Sequence, residues 1–124
     1  MQKQNIWDIE GTEFPAGRRT RVMIGLNGAI RGDKICQGYV VIYPNGGIPE
    51  HEHVNIESYT ILKGHGEITV DGETQKVKEG DFVFIPTGSK HTLKNTGEED
   101  MHMMFVYSPN TIVEHWAQES TGEL

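Results

Sequence analysis

The chain contains a single cysteine, Cys36, among its 124 residues. No internal disulfide can form, which excludes the small disulfide-stapled secreted scaffolds. Basic residues are scarce: 11 Lys and Arg stand against 18 Asp and Glu, a formal net charge of −7. A nucleic-acid binder presents a basic face, and so does a protein held on an anionic membrane. The only basic cluster is Arg18, Arg19 and Arg21, which reads as a solvated strand start. Nucleic acid and membrane are therefore not expected partners. No apolar run approaches the roughly 20 residues of a membrane span. Residues Met1 to Glu10 mix Lys3, Asp8 and Glu10 with isolated Ile and Trp, and carry no signal-peptide pattern. The expectation is a soluble, cytoplasmic protein whose lone thiol, in an apolar run, is buried and inert.

What is abundant is glycine, with 15 residues, against 35% hydrophobic residues overall. The glycines fall singly or in pairs between short apolar runs, which means many turns and many short strands. Arg21–Gly25, Ile35–Tyr43, Ser58–Lys63, Glu67–Val70, Glu73–Lys78, Asp81–Ile85, Thr92–Lys94 and Met101–Tyr107 read as strands. Pro44-Asn45-Gly46-Gly47 and Asn95-Thr96-Gly97 are turn signals, and Asp71-Gly72 is a two-residue hairpin signal. No long helical period precedes residue 110; Ile112–Ser120 reads as a short helix or an extended tail, with Ile112, Val113 and Trp116 on one face. About eight closely spaced strands predict an all-β fold, a small antiparallel sandwich or barrel. Length, with no linker or repeat, predicts one domain over residues 1–124.

His51 and His53 stand at i and i+2, the spacing that puts two side chains on one face of a strand. Glu57 adds a hard oxygen four residues on. Imidazoles with a carboxylate suit Mn, Fe, Co, Ni or Zn. From His51 the chain reads His51-x-His53-x3-Glu57-x6-Gly64, and later Gly80-x5-Pro86-x-Gly88-x2-His91-x3-Asn95. These two segments resemble the paired motifs of the cupin superfamily. The second matches at all five fixed positions. The first departs only at its opening glycine, where Asn45 stands, a residue that tolerates positive φ better than most. The resemblance covers about residues 36–107. It implies a jelly-roll barrel, or double-stranded β-helix, with His51, His53, Glu57 and His91 as ligands of one divalent transition metal, Mn or Fe favoured. It also implies a homodimer. Four ligands of an octahedron leave two adjacent positions open for water, dioxygen or a chelating substrate.

The remaining candidates carry weaker signals. Tyr39, Tyr43, Tyr59, Phe84 and Met104 are candidates to line a substrate pocket. His102 joins them, although the turn Asn95–Asp100 interrupts the count that would fix its face. His65, between two glycines, reads as solvent-exposed, and His115 as surface. Trp7 and Trp116 read as covers of the barrel ends or a subunit contact. The function expected is a metal-dependent enzyme acting on a small oxygen-rich molecule by oxygenation, decarboxylation, isomerisation or lyase chemistry. The alternative is a non-catalytic barrel that binds a metal and a small ligand. A third type, the sugar-nucleotide epimerase-like cupin, usually lacks this ligand set.

Overall fold

A computed structural model of the chain describes residues 1–109 and 114–121. Its strands, in chain order, are β1 (Thr12–Phe14), β2 (Arg18–Gly25), β3 (Ile30–Arg31), β4 (Cys36–Ile42), β5 (Gly47–His51), β6 (Ile56–Lys63), β7 (His65–Val70), β8 (Glu73–Lys78), β9 (Phe82–Ile85), β10 (His91–Asn95) and β11 (Met101–Ser108). A short helix, α1 (Glu114–Ser120), follows. One sheet runs β1-β2-β4-β11-β6-β9, with β3 beside β2, and the other runs β5-β10-β7-β8. Every pairing is antiparallel except β2 with β3. The expected all-β jelly roll is what forms. Three strands escaped the sequence reading: β1, the two-residue β3, and β5, whose Gly-Ile-Pro-Glu-His run carries a proline and only one large apolar residue.

Alternation decides the core. Along β11 the odd positions Met101, Met103, Phe105 and Tyr107 are buried and the even positions only half so. They meet Val40 and Ile42 of β4, Tyr59 and Ile61 of β6, and Ile48, Ile68, Val77 and Leu93 from the second sheet. The turns follow local chemistry. Asp71 and Gly72 both take positive φ, 48° and 83°, as a two-residue hairpin with strand-matching twist requires. Asn45 takes φ 66°, so the residue in place of the motif's opening glycine holds a left-handed turn. The edge strand β8 is exposed at every position but Val77, and its Lys76 and Lys78 discourage pairing with another chain.

Gly38 on β4 lies against the Phe105 ring: a Cβ there would stand 2.4 Å from two ring carbons and 3.0 Å from the Arg21 carbonyl oxygen. Gly38→Ala is therefore expected to destabilise the fold by about 1–3 kcal/mol through overpacking. A lower denaturant midpoint at unchanged slope is the expected reading. An unchanged midpoint would mean that Phe105 moves aside freely.

Helix α1 lies over the inner side of β1 and β2. Trp116 packs on the Phe14 and Phe105 rings, with centroids 6.4 and 5.9 Å away, and Glu119 pairs with Arg18. Arg18 is 1% exposed, which corrects the reading of the arginine cluster as a solvated strand start. Arg19 and Arg21 do lie nearer the surface, bonded to Glu13 and to the Ile9 carbonyl. Ile112 and Val113 lie outside the described residues.

Candidate metal centre

His51 closes β5 and His91 opens β10, and the two are cross-strand partners, their rings 4.1 Å apart. Glu57 sits near the start of β6 on its inward face, opposite Ile85 and Tyr107. His53 is two residues beyond the end of β5, in the loop that leads to β6. The strand argument for the His51/His53 pair is thus corrected: loop geometry, not a period of two, turns His53 inward. That loop is clamped by the second motif. The Gly88 N–H donates to the His53 carbonyl at 3.0 Å, and the Ser89 N–H closes a turn on the Pro86 carbonyl. Gly88 has φ 75°, a conformation that explains the glycine.

The donor atoms of His51, His53, Glu57 and His91 all lie within 4.8 Å of one another. Each imidazole is oriented by its own backbone. Nδ1 of His51 bonds the Pro49 carbonyl at 2.8 Å, that of His53 the Asn55 carbonyl at 3.2 Å, and that of His91 the Ser89 carbonyl at 2.9 Å. A ring nitrogen facing a carbonyl carries the proton, so in each neutral ring Nε2 is a bare lone pair. Nε2 of His53 and of His91 face Glu57 Oε1, at 3.2 and 3.1 Å. Three lone pairs and a carboxylate converging in a buried space repel one another unless a cation stands among them. The donor set therefore fits a divalent metal. His53, its side chain 15% exposed, marks the solvent side.

The electrostatics of the bare cluster follow from this crowding. Burial, helped by the His91 charge, pushes His51 down to about 4. Burial also acts against a charged His53, but its hydrogen bond to Glu57 and the Glu57 charge outweigh it and raise its pKa. Burial works against ionisation of Glu57, yet hydrogen bonds from His53 and His91 hold it below the usual carboxylate range. Tyr59 is buried, its ring 6.0 Å from His91. Burial and the Glu57 charge hold its hydroxyl protonated, as a donor to Glu57.

Of the pocket candidates, only Tyr59 faces this cluster. Tyr39 pairs with Met104, and both lie with His102 on the outer side of the large sheet. There the Tyr39 hydroxyl meets His102 Nδ1 at 2.7 Å, and Trp7 packs edge-on against the Tyr39 ring at 5.3 Å. Tyr39, His102 and Met104 are corrected accordingly. Phe84 is corrected as well: with Phe82 it lies on the outward face of β9, 63% exposed, because Ile85 and not Phe84 shares the parity of Glu57. Tyr43 bonds Glu13 away from the cluster. His65 is exposed, as expected, and the side chain of His115 lies outside the described residues. The residue missed is Tyr107, 5.8 Å from His53 ring to ring. Its buried hydroxyl faces the Cys36 thiol, a weak partner, and has no conventional one among the described residues. The signal was its parity with Met101, Met103 and Phe105.

A family model for the Cupin domain matches residues 38–107. Over 72 residues the chain is 35% identical to an uncharacterized protein of Aquifex aeolicus, covering 58% of this chain and 59% of that one. Over 78 residues it is 34% identical to a mannose-1-phosphate guanylyltransferase of Salmonella montevideo, covering 62% of this chain and 17% of the enzyme. The chain thus spans less than two thirds of the length of each of these curated relatives. Among solved structures, a predicted oxalate decarboxylase of Thermotoga maritima superposes with a TM-score of 0.78 at 20% identity. That match covers 87% of this chain and 99% of the other, and it is a likeness of fold.

Proposed function

Since the chain belongs to the cupin family, we propose that it is a metal-dependent enzyme acting on a small oxygen-rich molecule. The observation that carries this reading is the convergence of three Nε2 lone pairs and the Glu57 carboxylate, each oriented by a partner behind it. His51, His53, Glu57 and His91 would hold one divalent transition metal, Mn or Fe favoured. The bound ion would supply Lewis acidity, and redox chemistry if it is Fe or Mn. The rest is done by the chain itself. The Pro49, Asn55 and Ser89 carbonyls fix the imidazole tautomers. Tyr59 donates to Glu57 and aims that carboxylate. Tyr59, Tyr107 and Phe105 exclude water from the inner side, so a substrate enters past His53.

The reading takes residues 1–124 as one cupin domain and places it in the cytoplasm. It includes a homodimer, supported by the exposed apolar outer face of β6 and β9, where Ile56, Leu62, Phe82 and Phe84 meet solvent. The test is elemental analysis of the protein as purified, with light scattering for its mass. Oxygen uptake and product analysis on catechol, diketone and carboxylic-acid substrates follow. About one transition metal per chain with turnover of one class is expected. Glu57→Gln should keep the fold and lower occupancy, because an amide is a poorer ligand than a carboxylate. Metal without turnover on any class would favour the binding-module alternative, and a metal-free preparation that reloading leaves empty would overturn the reading.

A further inference from the structure

One buried side-chain oxygen lacks a conventional hydrogen-bond partner among the described residues, the hydroxyl of Tyr107. Tyr107 is 3% exposed. A buried hydroxyl offers one proton and two lone pairs, and leaving them unused is costly. The large sheet sets its place. Cys36, Tyr107, Glu57 and Ile85 are register partners in one row across β4, β11, β6 and β9, and all four are buried. Tyr107 therefore stands next to one candidate metal ligand, Glu57, and its ring lies 5.8 Å from that of another, His53. The Phe105 ring stacks on it at 5.7 Å with 9° between the planes. Held by these two neighbours, the ring carries its hydroxyl to the β4 side, where the Cys36 thiol meets it. A thiol is a weak donor and a weak acceptor.

We propose that the Tyr107 hydroxyl is a specificity-determining donor beside the metal centre, reserved for an oxygen of the bound substrate that the metal itself does not hold. The inference rests on the enzyme reading above. It narrows the substrate class to small chelating acids, which carry an acceptor oxygen beyond the coordinating pair. The direction of the hydroxyl carries the choice. β11 lies between β4 and β6, and the hydroxyl is turned toward β4, away from the strand that bears Glu57. It therefore meets a ligand's outer oxygens rather than those shared with Glu57 and the histidines. A catechol or a hydroxamate coordinates through both of its oxygens and leaves C–H groups to face Tyr107. A site built around a hydrogen-bonding group rejects a ligand that leaves the group unpaired. Because the ring is already fixed by Phe105 and His53, little freedom is lost when the bond forms.

The probes are oxalate and acetohydroxamate, titrated calorimetrically into protein loaded with Mn(II). Both chelate through two oxygens, but only oxalate has oxygens left over. Tyr107→Phe removes the hydroxyl and keeps the ring. It should bind oxalate about tenfold or more weakly than the parent, the loss of one hydrogen bond to a charged group. Acetohydroxamate should bind the two proteins alike. Melting of the metal-free forms is the second readout. Tyr107→Phe should melt no lower than the parent, because the hydroxyl removed has no strong partner to lose in the fold. A lower melting temperature, or a variant that fails to fold, overturns the inference and makes the hydroxyl a structural group held through Cys36. An equal loss of affinity for both probes overturns it too. Metal uptake with equal oxalate affinity in parent and variant leaves the enzyme reading standing while this one falls, and a parent that takes up neither Mn(II) nor probe removes both.

Discussion

His91→Ala, purified beside the parent, is expected to retain almost no transition metal. His91 is 1% exposed, donates through Nδ1 to the Ser89 carbonyl, and directs Nε2 at Glu57. Partners behind a ligand are already worth 10–100-fold in metal affinity, so losing the ligand itself should cost more than roughly 100-fold. His51→Ala should behave likewise, since its ring stands 4.1 Å from that of His91. His53→Ala, the most solvent-facing of the three, should lose most of its metal too. Histidine content alone does not account for this. His65→Ala and His102→Ala should load as the parent does, because one side chain is exposed and the other bonds Tyr39 on the outer side of the sheet. Elemental analysis reads all of these, with circular dichroism to confirm the fold. Full metal in a His51/His53 double variant would sink the ligand assignment.

The second large effect is in pH. Bound imidazoles must be neutral, so protons compete with the metal for its histidine ligands as pH falls through the ordinary imidazole value of about 6.5. As pH falls through that value the unfolded chain takes up protons that the loaded fold cannot. The metal's stabilisation is therefore complete above about pH 7 and shrinks on acidification. The metal-free protein should respond less simply. His51, held near 4 by burial, contributes stability that is present above its unfolded value of about 6.5. That contribution is lost as pH falls toward 4, and a shift of that size is worth up to about 3 kcal/mol. His53, raised by Glu57 against the effect of burial, has the opposite sign: its contribution is present below 6.5 and is lost as pH rises through its folded value. Glu57, depressed by its histidine bonds, contributes above its unfolded value of about 4.3 and loses that contribution in stronger acid. The measurement is melting temperature with and without metal from pH 8 to pH 5. The gap between the two curves should close toward pH 5. A gap that stays constant across that range would contradict ligation by three histidines.

What the sequence by itself determined is whatever short-range chemistry dictates. Asp71-Gly72 and Asn45 announced left-handed turns because few residue types tolerate them, and both turns form. The apolar runs announced strands, and β8 falls on Glu73–Lys78 as read. The two motifs placed His51, His53, Glu57 and His91 together, because each spacing is a local geometric constraint and the fold family joins them. The tertiary structure alone decided which face of a strand points inward. Alternation says that Met101, Met103, Phe105 and Tyr107 share a side, but which side is the core depends on β4 and β6 packing against it. That is why Tyr39, His102 and Met104 could be named yet not placed, and why Tyr107 was missed. The same alternation puts Phe82 and Phe84 on one face of β9, and that face is the solvent one. The sharpest case is Arg18. In the sequence it is one basic residue among three, at a strand start that water would be expected to cover. Its burial is the work of Glu119, 101 positions away, and no local pattern reports a contact whose partners meet only after the barrel has closed and the terminal helix has settled on it.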